Sequence, residues 1–234
     1  MRVLLAQINP TVGDLKGNAG KIIKILTNLE SDIYVFPELC ITGYIPQDLL
    51  LRSRFITQNL DILRWIIEKS GSKALVLGFV DRAGGKLYNG AAIVQKGKLT
   101  GIYHKQCIPN YHIFDEKRWF SAGESSITFN IHNRSIGVNI CEDIWYKEPC
   151  INQKNAGAEM IINISASPYR RGKIEKIEEV IMERHKEIAL PIVYVNQVGA
   201  QDGIVFYGHS MFVNDRKIVA CKDFEECVKI INIS

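Results

Sequence analysis

The stretch KALVLGFVDRAGGKLYNGAAIVQKGKLTGIYHK, residues 73–105, determines much of the fold. It contains three apolar runs, which are separated by Gly84-Gly85 and by Lys96-Gly97. Glycine-rich connections of two residues are typical of tight turns between antiparallel strands. The stretch therefore predicts two consecutive β-hairpins.

Helices and further strands are predicted on both sides of these hairpins. Apolar residues at helical spacing predict helices over residues 18–31, 53–69 and 173–189. Short apolar or alternating runs predict strands over residues 2–8, 32–39, 126–131, 134–140, 158–167 and 191–197, with a turn at His132-Asn133. The tail, residues 204–233, has the pattern of a strand meander. Together these elements predict an α/β fold in which sheets pack on each other with helices outside.

The composition is that of a globular protein. The chain has 234 residues, of which 47% are hydrophobic and 23% are charged. A chain of this length buries about 70% of the surface of its unfolded form, so it needs neither disulfides nor metals to fold. Basic and acidic residues are mixed throughout, and no basic run with interleaved aromatic residues indicates a nucleic-acid partner. Without an internal repeat or a linker, residues 1–234 are expected to form a single domain.

The N-terminus and the cysteines indicate where the protein acts. MRVLLAQINP lacks the cationic and long apolar regions of a signal peptide. No apolar run approaches the ~18 residues of a membrane span. The six cysteines have irregular spacings, without a C-x-x-C pair or the clustering of a zinc site. We therefore expect a cytoplasmic protein with reduced thiols and no membrane partner.

Cys141, in VNICEDIW (residues 138–145), is a candidate nucleophile. The alternation of Ile136, Val138 and Ile140 predicts a strand that ends at this cysteine, and the EDIW that follows can begin a helix. A thiol at a helix N-terminus lies at the positive end of the dipole, which favours the thiolate. The two acids alone are also explained by helix capping, so a packed, unreactive cysteine remains an alternative at this point.

Two other charged residues close apolar strands. Glu38, in VFPELCITGY, lies where α/β folds gather their sites and is a candidate general base. Lys105, in IYHKQCIPNY, is a candidate cation beside a reacting centre. Each also has a plain interpretation, as a solvated loop acid and as an edge-strand lysine.

The order of these three residues, together with their surroundings, resembles a known family. The chain is similar to the nitrilase superfamily of carbon-nitrogen hydrolases, in particular to the glutaminase domain of glutamine-dependent NAD synthetases. Five motifs carry the resemblance, from residue 2 to about residue 220: FPELCITGY, HKQCIPNYHIFDEKRWF, GVNICEDIW, NISASPYRRGK and PIVYVNQVGAQDGIVFYGHS. The resemblance implies a nitrilase-like α-β-β-α four-layer sandwich whose members pair through helices, and hence a homo-oligomer.

The resemblance also implies a reaction and a set of roles. Cys141 would attack the side-chain amide of L-glutamine, with Glu38 as general base and Lys105 holding the oxyanion. This implied reaction needs no metal or organic cofactor. Glu116, in FDEKR, matches a second acid that orients the lysine. Four further residues match positions that bind the glutamine, namely Tyr111, Glu142, Ser167 and Lys173.

The resemblance ends where the relatives continue into an ATP-using synthetase domain. The S-G-G-x-D-S phosphate loop of that domain does not occur here. We therefore expect either an excised domain or a separate glutaminase that passes ammonia to an NAD synthetase. Two other interpretations stay open at this stage: an amidase or carbamoylase acting on another small amide, and a non-catalytic partner subunit of a synthetase.

Overall fold

A computed structural model describes residues 1–111, 114–215 and 217–233; His112, Ile113, Arg216 and Ser234 lie outside the described residues. Within those ranges the strands form two six-stranded sheets and one two-stranded ribbon. Helices pack on the outer face of each large sheet. The α-β-β-α sandwich expected from the sequence is confirmed.

The first sheet contains the two predicted hairpins. Its strands are β1 (Arg2–Gln7), β2 (Ile33–Val35), β3 (Ala74–Ala83), β4 (Lys86–Gln95), β5 (Lys98–His104) and β14 (Cys227–Asn232), in the order β14-β1-β2-β3-β4-β5. The turns at Gly84-Gly85 and Lys96-Gly97 have positive φ at both central residues. This is the type I′ geometry that matches the twist of a hairpin, so both hairpin predictions are confirmed.

The second sheet contains a third predicted hairpin. Its strands are β6 (Thr128–Ile131), β7 (Arg134–Ile140), β8 (Met160–Ser165), β9 (Ile192–Asn196), β12 (Met211–Asn214) and β13 (Lys217–Ala220), in the order β13-β12-β9-β8-β7-β6. The turn predicted at His132-Asn133 also has positive φ at both positions. The small ribbon pairs β10 (Val198–Gln201) with β11 (Ile204–Tyr207).

Alternation along the strands creates three separate apolar layers. In β1, Val3 and Leu5 point into the layer between the two sheets, where Val138 of β7 and Phe212 of β12 also lie. Leu4, between them, points outward into the layer under the helices. Because successive strand residues face opposite sides, a strand buried on both faces must be apolar at every position.

Four helices cover the sheets in the described part of the chain. They are α1 (Leu15–Asn28), α2 (Ser53–Ser70), α3 (Lys147–Asn155) and α4 (Lys173–Ile188). Helices α1 and α2 pack on the first sheet, and α3 and α4 pack on the second. Helix α1 begins three residues earlier than predicted because the Asp14 carboxylate caps it, accepting a hydrogen bond from the Gly17 amide at 2.9 Å.

The meander predicted for the tail is wrong. Only β12 and β13 form a hairpin there, while β11 pairs with β10 and β14 crosses to the other sheet. Strand β14 lies antiparallel to β1, with Arg2 opposite Asn232 and Gln7 opposite Cys227. It covers the free hydrogen-bonding groups of β1, which would otherwise be a sheet edge. Local pattern does not reveal this, because the partner strand is more than 200 residues away in sequence.

Candidate active site

The candidate catalytic residues meet because the strands that carry them end at one edge of the sandwich. Glu38 follows β2, Lys105 follows β5 and Cys141 follows β7. Strand β4 runs opposite to both β3 and β5, and β3 is parallel to β2, so β5 ends at the same edge as β2. Both Leu39, directly after Glu38, and Cys141 have positive φ. Such conformations are uncommon outside glycine and concentrate at functional sites.

Glu38, Lys105 and Glu116 form a fully buried charge cluster. Lys105 Nζ lies 2.7 Å from Glu38 Oε1, and 2.8 Å and 3.0 Å from the two carboxylate oxygens of Glu116. None of the three side chains has any exposed surface. Burial lowers the pKa of Lys105, but the Glu116 and Glu38 carboxylates raise it by more, so the pKa lies well above its usual range. The ammonium therefore stays charged at neutral pH.

Neutral donors complete the cluster around the two carboxylates. The Ala166 amide donates to Glu38 Oε2 at 2.7 Å, and the Tyr44 hydroxyl donates to Glu116 Oε1 at 2.6 Å. The Asn89 amide donates to Glu38 Oε1 at 2.7 Å. Burial is the largest influence on Glu116 and raises its pKa, while Lys105 opposes the rise. Buried carboxylates need such partners, because removing them from water is costly.

The surroundings of Cys141 raise the pKa of its thiol. Burial raises its pKa most, the Glu38 carboxylate raises it further, and the Lys105 ammonium lowers it only in part, so the pKa lies well above its ordinary value. Burial and the Glu38 carboxylate thus act against the helix-dipole effect that was expected to favour the thiolate. Cys141 begins a short 3₁₀ turn, Cys141–Trp145. With the pKa of the thiol raised, attack by Cys141 would require a base to take its proton.

Asp143 ties the nucleophile turn to the segment after Lys105. Its carboxylate accepts hydrogen bonds from the Ile140 amide at 2.9 Å and the Tyr103 hydroxyl at 2.8 Å. It also accepts from the Gln106 amide at 3.1 Å and the Cys107 amide at 2.7 Å. One buried side chain therefore fixes the end of β5 relative to the end of β7. The sequence interpretation treated this acid only as a helix-capping residue.

Two of the predicted substrate-binding residues line one cavity of about 440 Å³. Tyr111 and Lys173 lie in its wall, and Phe114, Trp145, Pro168, Tyr169 and Arg170 complete it. The Lys173 ammonium lies 3.9 Å from the centre of the Trp145 ring. Burial lowers the pKa of Lys173. The Tyr111 hydroxyl donates to Glu142, which directly follows Cys141 in the chain, so the cavity lies near the candidate nucleophile.

Glu142 and Ser167 lie beside this cavity rather than in its lining. The Tyr111 hydroxyl lies 2.8 Å from each carboxylate oxygen of Glu142, which lines an adjoining cavity of about 320 Å³ with Tyr111. Ser167 is buried, and its amide donates to Asn196 Oδ1 at 2.8 Å. The structure therefore brings Tyr111, Glu142 and Lys173 together, whereas the amide of Ser167 is engaged within the protein.

A cavity of about 490 Å³ at another edge of the sandwich lacks the chemistry of this one. Its lining includes the ion pair of Lys73 with Glu30 at 3.1 Å and the contact of His132 with Asp32 at 3.6 Å. Volume alone is therefore a poor guide to the active site in this protein. The edge that carries Cys141 has both a candidate nucleophile and a buried ion cluster.

The sequence model of the carbon-nitrogen hydrolase family matches residues 2–234. The chain belongs to the carbon-nitrogen hydrolase family. Glutamine-dependent NAD(+) synthetase from Thermotoga maritima is 40% identical over 221 residues, which is 92% of this chain and 38% of that protein. The corresponding enzyme from Aquifex aeolicus is 36% identical over 239 residues, which is 100% of this chain and 42% of that protein. This carbon-nitrogen hydrolase thus spans about two fifths of the relatives it matches.

Solved structures agree with the fold. Glutamine-dependent NAD+ synthetase from Acinetobacter baumannii superimposes with a TM-score of 0.93 at 33% identity, covering 98% of this chain and 44% of that one. A variant of the amidase from Nesterenkonia sp. AN1 superimposes with a TM-score of 0.89 at 20% identity, covering 100% and 93%. The second likeness concerns the fold alone.

Three residues of the site in this carbon-nitrogen hydrolase were missed by sequence reasoning. Tyr44 closes the quoted motif FPELCITGY but was assigned no role, and Asp143, inside GVNICEDIW, was interpreted only as a helix-capping residue. Asn89 interrupts the apolar strand KLYNGAAIV, and a polar residue at a buried strand position was the available signal.

None of the helices in residues 1–111, 114–215 and 217–233 is both long and apolar enough to cross a bilayer.

Proposed function

We propose that residues 1–234 form a single glutaminase domain that releases ammonia from the side-chain amide of L-glutamine through a thioester on Cys141. The observation that carries the proposal is the buried contact of Lys105 with Glu38 and Glu116, near Cys141, whose pKa is raised by burial and by the Glu38 carboxylate. The matched part of glutamine-dependent NAD synthetases supports glutamine as the substrate.

Acylation begins with the thiol proton. Glu38 takes this proton as the Cys141 sulfur attacks the amide carbon, so that no free thiolate has to form in the buried site. The tetrahedral intermediate collapses when Glu38 returns the proton to the departing nitrogen. Ammonia leaves and a γ-glutamyl thioester remains on Cys141.

The oxyanion is stabilised by Lys105. An ammonium has three N–H groups, and its two contacts with Glu116, at 2.8 Å and 3.0 Å, can share one of them. With another directed to Glu38, one N–H remains for the developing negative charge. A backbone N–H next to Cys141 would supply the second donor. Glu116 is proposed to orient Lys105 rather than to exchange protons with the substrate.

Deacylation repeats the sequence with water in place of the thiol. Glu38 removes a proton from water as the oxygen attacks the thioester carbon. The intermediate then expels the Cys141 sulfur, which recovers its proton from Glu38, and glutamate leaves. Each atom and proton is accounted for without a metal or an organic cofactor.

The charged groups near the cavity suit the two α-substituents of glutamine. The Glu142 carboxylate is positioned by Tyr111 and would bind the α-ammonium group. The Lys173 ammonium would bind the α-carboxylate. Ser167 would contribute through a contact of its hydroxyl or its backbone with these α-groups.

The relatives supply the context for the ammonia. They are more than twice as long as the matched segment and are named as NAD synthetases. We propose that this domain delivers ammonia to an NAD synthetase domain or subunit, in the cytoplasm and as a homo-oligomer.

The proposed function predicts release of ammonia and glutamate from L-glutamine by the purified protein. We would measure both products for glutamine, asparagine and a simple aliphatic amide, with and without an ammonia-dependent NAD synthetase. Glutamine is expected to be the preferred substrate, and addition of the synthetase is expected to increase its turnover. Cleavage of the aliphatic amide without cleavage of glutamine would instead identify a different amidase.

Recognition of the α-ammonium group predicts a specific effect of Glu142→Gln. The substitution keeps an acceptor for Tyr111 but removes the charge, so kcat/KM for glutamine should fall about 10- to 100-fold. For 4-carbamoylbutanoate, which lacks the α-amino group, kcat/KM should change less than about threefold. Glu148→Gln, at an exposed position in the first turn of α3, is the matched control. Equal losses for both substrates would contradict the assignment.

A further inference from the structure

We propose that Asn89 is a positioning residue of this site: together with Lys105 it occupies Glu38 Oε1, so that Glu38 Oε2 exchanges the proton with Cys141. This inference rests on the proposed hydrolysis of the glutamine amide by Cys141. The inference adds a residue to the site and assigns the basic atom of Glu38.

Asn89 connects the two carboxylates of the charge cluster. It lies on β4, is fully buried, and its Nδ2 is 2.7 Å from Glu38 Oε1 and 3.4 Å from Glu116 Oε2. One amino group with two hydrogens can serve both acceptors. The reverse orientation would direct the carbonyl oxygen at two carboxylates, so electrostatics requires the amino group on this side.

The other half of the amide supports the same interpretation. Among the described residues, Asn89 Oδ1 has no hydrogen-bond partner although it is buried. A buried acceptor without a partner costs free energy and calls for an explanation. The donors that Asn89 presents to Glu38 and Glu116 supply that explanation.

Counting acceptor positions identifies the basic oxygen. A carboxylate oxygen accepts about two hydrogen bonds. Oε1 of Glu38 already accepts from Lys105 Nζ and Asn89 Nδ2. Oε2 accepts from the Ala166 amide, and within the described part of the chain it retains a position for a second donor. The thiol proton is therefore transferred to Oε2.

Asn89 also holds Lys105 through the backbone. The Lys105 amide donates to the Asn89 carbonyl oxygen at 2.9 Å, where β4 and β5 run side by side. The same residue thus fixes the main chain at Lys105 and the carboxylate that Lys105 contacts. This double role suits a residue that sets the relative position of the acid and the cation.

Loss of the Asn89 donor should change the transfer of the proton from Cys141 to Glu38. The charged and titratable groups that face Glu38 or Cys141 come from several elements and would all remain: Tyr44, Lys105, Glu116 and Glu142. Only a neutral donor would be removed, so the Glu38 carboxylate would lose one stabilising hydrogen bond. The pH range in which the rate of Cys141 alkylation falls on acidification, the acid limb of its pH profile, should therefore move to higher pH by about one unit.

The test is the pH dependence of Cys141 alkylation in Asn89→Leu. The pseudo-first-order rate with iodoacetamide would be followed by mass spectrometry of the peptide that contains Cys141. Asn59→Leu is the matched control, because Asn59 is equally buried, on α2, and bonds to Val80 instead of the carboxylates. The acid limb should shift in Asn89→Leu and coincide with that of the wild type in Asn59→Leu.

A profile of Asn89→Leu that coincides with the wild type would overturn the proposal. Asn89→Ala introduces no larger side chain and has the same expected shift, so it serves if the leucine variant does not fold. Iodoacetamide alkylation requires no turnover of glutamine. The role of Asn89 can therefore fail or succeed independently of the proposed substrate.

Discussion

Replacing Cys141 by alanine is expected to lower ammonia release from L-glutamine by at least about 10³-fold, because the variant lacks the thiol proposed to form the thioester. The side chain is buried, and its removal leaves Glu38, Lys105 and Glu116 in place. The variant should therefore remain folded and still bind glutamine. Steady-state assay of glutamate, together with a binding measurement by calorimetry, would separate the two effects.

Cys150→Ala is the matched control for this experiment. Cys150 is also a fully buried free thiol, and burial raises its pKa to about 12. Its sulfur accepts a hydrogen bond from Asn139 and has no role in the proposed reaction. Activity should persist in Cys150→Ala. Glutamate formation by Cys141→Ala at a rate comparable with that of the control would exclude Cys141 as the nucleophile.

Replacing Lys105 by methionine is expected to reduce both stability and activity. The substitution leaves Glu38 and Glu116 buried without a cation, and breaking a buried pair in this way costs about 3 to 5 kcal/mol. The loss should be measured as the free energy of unfolding from urea titration. Activity should fall below detection, because the oxyanion also loses its charged donor.

The stability loss in Lys105→Met should depend on pH. Burial raises the pKa of Glu116, and Lys105 opposes that rise, so its removal raises the pKa further. A group with a higher pKa in the folded state contributes stability at low pH and loses it as pH rises through that pKa. The deficit should therefore be larger near about pH 7 than near about pH 5.

A double variant separates the structural role of Lys105 from its chemical role. Lys105→Met with Glu116→Gln removes one positive and one negative charge together, and the glutamine oxygen can still accept from Tyr44. At least about half of the lost free energy of unfolding should return, while activity should not. Recovery of turnover in the double variant would show that Lys105 serves only to balance charge.

The local elements were the most predictable part of the fold. The three hairpin turns depend on two residues each, and helices α2 and α4 begin and end within one residue of the predicted bounds. Helix spacing and turn chemistry act over a few residues, so a single sequence contains them. The path of the tail was not predictable, because β14 is placed by pairing with β1 at the opposite end of the chain.

In the candidate site, too, some features could be predicted from the sequence and others could not. Glu38, Lys105 and Cys141 stand out because each follows an apolar strand, and motif resemblance added Glu116, Tyr111, Glu142, Ser167 and Lys173. The hydrogen bonds from Asn89, Tyr44 and the Ala166 amide were not foreseen. They join segments that are far apart in sequence, and only the packing of the sheets brings them together.

The sequence by itself determined which residue types close the strands, which faces of the strands and helices are apolar, and hence that sheets pack on each other with helices outside; the four-layer arrangement was implied by the family resemblance. Only the tertiary structure showed in which direction its surroundings shift the pKa of the Cys141 thiol. The local helix argument favoured a thiolate, whereas burial and the Glu38 carboxylate raise the pKa of Cys141. The reason is physical: desolvation and charge pairing depend on every atom that surrounds a group, and most of those atoms belong to distant parts of the chain.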